Sequence, residues 1–278
     1  NSCMNEFDFD SVDIKVPKRD ENSHKGDFGR LLIVGGSEGM GGAAILSSEA
    51  ALYCGAGLIN LQTHNTNIQA SLERNPEVMC SGIDSDLSMQ NIDTLLFGPG
   101  LKNDKWARNT FENCLQTANF KNVILDAGVL NFFNDVYKKE YSKFENLVLT
   151  PHPGEAGKLL NISAEEVQKD RLSAAKKIVK KYNAHVILKG NGTLIVSNDN
   201  EEIFICSEGG PELASGGTGD VLAGILSSLI TQGMEILNSC ILAVAVHSRA
   251  GKIFKNNTGE IGLNASSLIT ISRDLLNG

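Results

Sequence analysis

The feature that most constrains the fold is a short apolar run that ends in a glycine-rich or polar loop, and it recurs along the chain. Residues 31–34, 94–97, 123–125, 147–149 and 185–188 are runs of this kind. Runs without alternating polar residues are typical of strands buried on both faces, as in a parallel sheet covered by helices. The pattern therefore predicts one α/β domain with a central, mainly parallel sheet and helices on both faces.

Segments with helical periodicity or many small residues separate these runs. The predicted helices cover residues 43–54, 67–73, 105–117, 163–182, 221–230, 235–254 and 265–276. Further strands are expected at residues 58–62 and around Val78. Two β-rich runs, residues 194–197 and 203–206, flank a polar turn and predict a hairpin.

Composition and charge narrow the class of partner. The 278-residue chain carries a net charge of −8 without any basic cluster, which argues against a nucleic acid or an anionic membrane as partner. No apolar run reaches the ~18 residues of a membrane span. The six cysteines include no C-x-x-C pair, so neither a zinc site nor a disulfide framework is indicated, and we expect a cytoplasmic protein. Residues 1–22 are polar and predict a mostly irregular lead-in or linker before the domain at residues 23–278.

The loops after the apolar runs are expected to form the ligand site. They begin at Gly35, Gly98, Asp126, Thr150 and Lys189. In open α/β sheets, ligands bind beyond the carboxyl ends of the strands, so these loops should line one crevice.

A further loop, Gly216-Gly217-Thr218-Gly219-Asp220, precedes an apolar helix at residues 221–230. Glycines let successive backbone N–H groups point one way, and at a helix N-terminus such groups form an anion site. Phosphate is the expected anion. A carboxylate beside phosphate is repelled by it, so Asp220 is explained best by a chemical task, that of a general base. The alternative is a tight loop in which Thr218 or Asp220 only caps the helix. Because the helix dipole lowers the pKa of a carboxylate, we expect Asp220 to be ionised at neutral pH.

Several motifs occur together in a specific order. They are Thr150-Pro151-His152-Pro153-Gly154-Glu155, Lys189-Gly190-Asn191-Gly192-Thr193 and Gly216-Gly217-Thr218-Gly219-Asp220, with His24-Lys25-Gly26-Asp27-Phe28-Gly29, Gly39-Met40-Gly41-Gly42-Ala43-Ala44 and Gly98-Pro99-Gly100 upstream. Taken together they closely resemble the ADP/ATP-dependent NAD(P)H-hydrate dehydratases of the ribokinase-like superfamily. The resemblance covers about residues 23–278.

The resemblance implies a repair enzyme that dehydrates NADH or NADPH hydrate while ADP, or ATP, loses its terminal phosphate. Bacterial members typically use ADP and release AMP and phosphate. The nearest rival is a ribokinase-like small-molecule kinase, such as a hydroxymethylpyrimidine or hydroxyethylthiazole kinase. A rival of another class is a nucleotide-sensing module without catalysis.

The family's functional residues are carried over by motif. The resemblance implies that Asp220 is the general base and that the backbone of Gly217, Thr218 and Gly219 holds the transferred phosphoryl group. Expected nucleotide contacts are Lys189, Gly190, Asn191, Gly192, Thr193 and Gly219. Expected contacts to the hydrated nicotinamide are Ala43, Gly100, His152 and Asp220. Glu155 occupies the place of a glutamate that organises Mg²⁺ through water, and a homo-oligomer, in this family a tetramer, is expected by analogy.

Two segments depart from the family pattern. Asp126-Ala127-Gly128-Val129-Leu130-Asn131 lacks a second carboxylate, and Gly209-Gly210-Pro211-Glu212-Leu213 carries Glu212 beside the nucleotide loop. Glu212 could alter nucleotide preference or face solvent. His185 lies in an apolar run and is expected to be a core residue. His64 and His247 have no motif around them and stay unassigned.

Overall fold

The structure is a computed structural model that describes residues 3–83, 91–117, 120–137, 144–199 and 202–278. These residues form a ten-stranded sheet in the order β1-β10-β9-β8-β7-β6-β5-β2-β3-β4. The strands are β1 Met4–Phe7, β2 Arg30–Val34, β3 Leu58–Thr63, β4 Met79–Gly82, β5 Thr94–Phe97, β6 Asn122–Leu125, β7 Asn146–Leu149, β8 His185–Leu188, β9 Leu194–Val196 and β10 Ile203–Cys206. Only β9 among them runs antiparallel to its neighbours, so the mainly parallel sheet expected from the sequence is confirmed.

Helices cover both faces of the sheet. They are α1 Gly41–Tyr53, α2 Ile68–Arg74, α3 Lys105–Thr117, α4 Phe133–Val136, α5 Pro153–Leu160, α6 Ala164–Lys169, α7 Arg171–Tyr182, α8 Thr218–Thr231, α9 Ile236–Thr258 and α10 Ser266–Asn277. None of the described helices is long and apolar enough to cross a membrane.

The central strands β2, β5, β6, β7 and β8 are mainly apolar because each contributes side chains to two separate cores. Side chains alternate between the faces of a strand, and in β2 Leu31 and Ile33 join one core while Leu32 and Val34 join the other. The first core is completed by α1, α8, α9 and α10, and the second by α3 to α7. The continuous apolar runs in the sequence therefore reflect strands that are buried on both faces, as the pattern predicts.

The structure differs from the predicted secondary structure in two places. The lead-in, predicted to be mostly irregular, contains one strand: residues 4–7 form β1, which pairs in parallel with β10 in the register Met4 to Ile203. The predicted helix at residues 163–182 is two helices, since Asp170 ends α6 with a φ of −150° and caps α7 by accepting a 2.9 Å hydrogen bond from the Ser173 N–H. The capping box that opens α6, formed by Ser163 and Glu166, is confirmed.

The loops that were expected to line the crevice lie together along one edge of the sheet. Strands β8, β7, β6, β5 and β2 are consecutive parallel neighbours, so the loops that follow them lie side by side. Helix α8 packs against β5, β2 and β6 in the middle of that row.

Candidate functional site

An ion pair between two neighbouring strand ends lies at the centre of the site. Lys189 follows β8, and its Nζ is 3.0 Å from Oδ1 of Asp126, which follows β6. The Thr150 hydroxyl, after β7, donates to the same Oδ1 at 2.7 Å. Asp126 is 1% exposed, and its Oδ2 is buried without a hydrogen-bond partner among the described residues. A buried carboxylate with an unused oxygen is costly, so this atom is available to a ligand or its water shell.

Three carboxylates surround Lys189. Burial lowers the pKa of the Lys189 ammonium, but the charges of Asp126 and Glu155 outweigh burial and raise it, so the ammonium stays charged. Burial and the nearby charge of Asp126 together raise the pKa of Asp220 to about 7, although the charge of Lys189 lowers it. The expectation that Asp220 is fully ionised at neutral pH is therefore wrong, because desolvation and a like charge outweigh the helix dipole.

His152 and Glu155 are joined in a capping arrangement at the start of α5. His152 Nδ1 accepts hydrogen bonds from the N–H groups of Gly154 and Glu155 at 3.0 and 3.2 Å. The ring proton is therefore on Nε2, which lies 3.2 Å from Glu155 Oε1. Glu155 Oε2 accepts from the His152 N–H at 2.9 Å. Burial raises the pKa of Glu155 to about 7, and burial together with Lys189 lowers the pKa of His152, so the imidazole is neutral at pH 7.

The glycine turn before α8 has the geometry of an anion site. Gly217 is the N-cap of α8 with a φ of +88°, in the left-handed region that favours glycine, and a Cβ there would lie 2.7 Å from Leu46 Cδ1. A methyl group at Gly219 would lie 3.3 Å from Lys189 Nζ, so the turn and the ammonium meet. The Thr218 hydroxyl donates to the carbonyls of Leu213 and Ser215 at 2.7 and 2.9 Å. The hydroxyl thus holds the turn. The Thr218 N–H donates to the Ser215 carbonyl at 3.4 Å, whereas the N–H groups of Gly217 and Gly219 donate to no backbone carbonyl among the described residues and remain for a ligand.

A cavity of about 650 Å³ opens beside this turn. Its walls include the expected nucleotide contacts Lys189, Gly190, Asn191, Thr193 and Gly219, together with Thr218 and His152. Residues 208–211 and Val244, His247 and Ser248 of α9 also line the cavity. Gly192 lies in the same loop but away from the cavity, since a Cβ there would point at Ile205 Cδ1, 3.2 Å away.

The expected substrate contacts Ala43 and Gly100 also meet. A Cβ at Gly100 would lie 3.1 Å from the Ala43 Cβ and 2.4 Å from the Met40 carbonyl oxygen. One turn after Ala43 on α1, the Ser47 hydroxyl donates to the Asp220 carbonyl at 2.8 Å. The structure therefore places Ala43 and Gly100 on the α1 side of Asp220, and His152 and Lys189 on the cavity side.

Three residues of the site carry no motif in the sequence. Arg171 donates to carbonyl oxygens of the loop after β8, Glu208 lies on the cavity wall, and the Nε2–H of the buried His247 donates to the Thr218 carbonyl at 2.8 Å. Burial lowers the pKa of His247 to about 4, so the ring is neutral. In the sequence, the only signal for His247 is its position inside an apolar helical segment. His185, by contrast, is a buried core residue that contacts the Ser197 hydroxyl at 3.2 Å, as expected.

Glu212, one of the two departures from the family pattern, does not face solvent. It is 3% exposed, and its Oε2 is buried without a hydrogen-bond partner among the described residues. A Cβ at Gly210 would lie 2.5 Å from that oxygen. Gly210, Pro211 and Leu213 line the cavity around it.

The donors near Lys189 suit a Mg²⁺ ion that keeps most of its water. Within the described part of the chain, no three His, Cys, Asp or Glu side chains form a group able to hold a metal directly. Magnesium is commonly held by one or two carboxylates, waters and substrate phosphates, so such a group is not needed. Asp126 Oδ2 is free to accept from a water, whereas both oxygens of Glu155 are engaged by His152. The residues fit an ion held mainly by phosphates and water.

Comparison with known proteins agrees with this geometry. The family model described as NAD(P)H-hydrate dehydratase matches residues 31–274. An ADP-dependent (S)-NAD(P)H-hydrate dehydratase from Neisseria meningitidis is 37% identical over 263 residues, which cover 93% of this chain and 88% of the relative. A bifunctional NAD(P)H-hydrate repair enzyme from Coxiella burnetii is 36% identical over 266 residues, 94% of this chain and 53% of the relative. The chain thus spans about half the length of that relative.

Solved structures share the fold. The ADP/ATP-dependent NAD(P)H-hydrate dehydratase from Bacillus subtilis, co-crystallised with ATP and Mg²⁺, matches with a TM-score of 0.84 at 27% identity, over 96% of this chain and 99% of its own. A hydroxyethylthiazole kinase from Pyrococcus horikoshii matches with a TM-score of 0.57 at 16% identity, over 88% and 87%, which shows the fold alone. The ribokinase-like α/β fold is confirmed. With a family model that covers most of its length, the chain belongs to the NAD(P)H-hydrate dehydratase family.

Proposed function

We propose that this protein dehydrates the hydrated forms of NADH and NADPH at the expense of ADP, yielding NADH or NADPH, AMP and phosphate. The observation that carries the proposal is the meeting of Lys189, the Gly217–Gly219 turn and Asp220 beside a cavity of nucleotide size. Family membership and the names of the relatives agree with it.

In the proposed reaction, the hydroxyl of the hydrated nicotinamide attacks the terminal phosphorus of ADP and AMP leaves. Asp220 takes the hydroxyl proton as the oxygen–phosphorus bond forms. The bond between the ring carbon and the phosphorylated oxygen then breaks and phosphate leaves. The adjacent ring carbon loses a proton, and its C–H electron pair restores the double bond of the reduced nicotinamide. Hydroxide is a poor leaving group, and phosphate is a good one, which explains why a phosphoryl donor is needed.

The chain's own residues supply position and charge. The N–H groups of Gly217, Thr218 and Gly219 at the start of α8 hold the phosphoryl group as its charge redistributes. Lys189, kept charged by Asp126, neutralises a phosphate oxygen. His152 is neutral and lines the cavity beside Lys189, so it can hydrogen-bond the substrate without adding charge. Ala43 and Gly100 lie on the other side of Asp220 and would contact the nicotinamide ring.

We also propose that Mg²⁺ accompanies the nucleotide and shields its phosphates. Asp126, through its unpartnered Oδ2, would hold waters of the ion. Glu155 would join it through the remaining lone pairs of the two oxygens that His152 already engages. Full activity in excess EDTA would exclude this. Unchanged Mg²⁺ dependence in Glu155→Gln, with lost dependence in Asp126→Asn, would assign the role to Asp126 alone.

The test of the proposed function is incubation with hydrated NADH and either ADP or ATP. Restored NADH absorbance together with stoichiometric AMP and phosphate is expected with ADP. A phosphorylated product that accumulates without restored absorbance would favour the kinase alternative. Nucleotide binding without turnover of any hydrated cofactor would favour a sensing module.

Two further proposals rest on family analogy and composition. We propose a homo-oligomer, a tetramer in this family, that acts in the cytoplasm on small-molecule substrates with no nucleic acid or membrane partner. A single monomeric peak in light scattering at micromolar concentration would contradict the oligomer.

A further inference from the structure

We propose that Arg171 is a positioning residue for the nucleotide: its guanidinium holds the loop at residues 189–193, the nucleotide loop, in the conformation that binds ADP. This inference rests on the proposed function, because it assumes that the cavity beside the loop takes the nucleotide. Arg171 is the first residue of α7 and is absent from the cavity walls, so its effect must pass through the loop.

The guanidinium donates hydrogen bonds to three carbonyl oxygens in and next to the nucleotide loop. Nη1 donates to Asn191 O at 2.8 Å and to Gly192 O at 2.9 Å, and Nη2 donates to Leu188 O at 3.1 Å. Hydrogen bonds from a charged donor are roughly twice as strong as neutral ones, and the planar fork fixes the directions of all three acceptors.

These contacts also determine where the loop's N–H groups point. A trans peptide holds its C=O and the following N–H on opposite sides, so a carbonyl turned toward Arg171 turns the next N–H away from it. The Leu188 carbonyl shows the rule, since the next N–H, that of Lys189, donates to the Pro151 carbonyl at 2.9 Å. By the same geometry, the N–H groups of Gly192 and Thr193 point away from Arg171, and Thr193 itself lines the cavity.

The sequence of the loop is fitted to this arginine. A Cβ at Gly190 would lie 2.9 Å from Arg171 Nη2, so glycine leaves the space that the guanidinium occupies. Arg171 Nε is buried without a partner among the described residues, and burial lowers the pKa of the guanidinium. The space left at Gly190 and the three carbonyl acceptors therefore both match a guanidinium at this position.

The experiment compares Arg171→Met and Arg171→Lys with wild type, and with Arg108→Met as a matched control. Arg108 also donates three hydrogen bonds, to Asn103 and Asp135, far from the cavity. We expect Arg171→Met to raise the KM for ADP and the calorimetric Kd by about tenfold or more, with kcat at saturating ADP and the KM for hydrated NADH nearly unchanged. Arg171→Lys should recover part of the affinity, and Arg108→Met should change neither constant.

Equal ADP affinity in wild type and in either folded Arg171 variant would overturn the inference and leave the proposed function standing. A parallel loss for both substrates would also overturn it, since that is the pattern of a merely structural residue. If Arg171→Met does not fold, Arg171→Lys decides, together with amide hydrogen exchange of residues 188–194, which should be faster than in wild type. A wild-type protein that neither binds ADP nor restores NADH would instead overturn the proposed function itself.

Discussion

Asp126, Glu155 and Asp220 surround a single ammonium group, that of Lys189, and this imbalance of charge sets the protonation of the site. Burial raises the pKa values of both Asp220 and Glu155 to about 7. A base with a pKa near the working pH is the most effective one, because it is both present in its ionised form and strong enough to take a proton. The raised pKa of Asp220 is thus more useful to the proposed reaction than the low pKa expected from the helix dipole.

The rate is therefore expected to depend on pH near neutrality. Below about pH 7 Asp220 holds its proton and cannot accept another, so kcat at saturating ADP should fall about tenfold per pH unit toward pH 5. Between pH 8 and 9 it should be constant. Stopped-flow turnover across this range measures it, and a rate that stays flat from pH 8 down to pH 5.5 would rule out Asp220 as the titrating base.

Gly192 is expected to matter for its backbone conformation. Its φ is +73°, where any other residue is strained, and a Cβ would press on Ile205. Gly192→Ala should lower the free energy of unfolding by roughly 1–2 kcal/mol and weaken ADP binding. Gly233→Ala is the matched control, since Gly233 has a φ of +90° and open space around it. Urea unfolding should show similar destabilisation in both variants, and calorimetry should show weaker ADP binding only in Gly192→Ala. Equal ADP affinity in the two variants would contradict a role of Gly192 in ADP binding.

At the scale of elements, the contact between α1 and α8 joins the substrate side of the site to the phosphate side. The helices approach closely because Gly224 has no side chain: a Cβ there would lie 2.3 Å from the Ser47 carbonyl oxygen and 2.8 Å from the Ala50 Cβ. The same turn of α1 carries the Ser47 hydroxyl that holds the Asp220 carbonyl.

Gly224→Ala should consequently push the two helices apart. We expect a loss of roughly 1–3 kcal/mol in the free energy of unfolding, the usual cost of overpacking a core, with a lower kcat because Asp220 moves. Gly42→Ala in α1 serves as control, since nothing lies within 4 Å of the added methyl group. Chemical denaturation that finds the two variants equally stable would contradict the proposed packing constraint.

The elements that the sequence predicts well are those with a local cause. Strand β5 and helix α3 have the predicted bounds, and the hairpin of β9 and β10 is confirmed, because apolar runs, helical periodicity and a polar turn are all short-range signals. Strand β1 has no such signal, since its four residues pair with residues 203–206, which are distant in the sequence. The break at Asp170 was hidden because the helical periodicity continues across it.

At the scale of the whole molecule, the motifs predicted which loops meet but not the charges that result. The strand ends predict that Lys189 and His152 share one crevice, and the motifs add Gly219. All three residues line the cavity. The protonation of Asp220 depends on its burial and on Asp126, and neither can be read from neighbouring sequence. Arg171 and His247 donate hydrogen bonds to backbone carbonyls of other segments, and no sequence motif predicts such contacts.

The raised pKa of Asp220 also predicts how global stability depends on pH. The unfolded chain loses this proton near pH 3.8 and the folded protein near pH 7. Between these values the folded state binds more protons, so its free energy of unfolding falls as the pH rises. Urea unfolding at pH 5 and pH 8 should show a smaller loss in Asp220→Asn than in wild type. The lowered pKa of His247 acts in the opposite direction in both proteins and cancels. Identical losses in the two proteins would mean that Asp220 titrates normally.

The central claim, that Asp220 is the base at the phosphate turn, is tested most directly by single-turnover kinetics of Asp220→Asn at pH 8. Asn keeps the volume of Asp220, which makes no capping hydrogen bond in the structure, but removes its negative charge and its proton acceptor. We expect ADP affinity to stay equal or increase, since a repulsive charge is lost, while restoration of NADH from its hydrate slows by ~10²-fold or more. A folded Asp220→Asn protein that restores NADH within tenfold of the wild-type rate would contradict the claim.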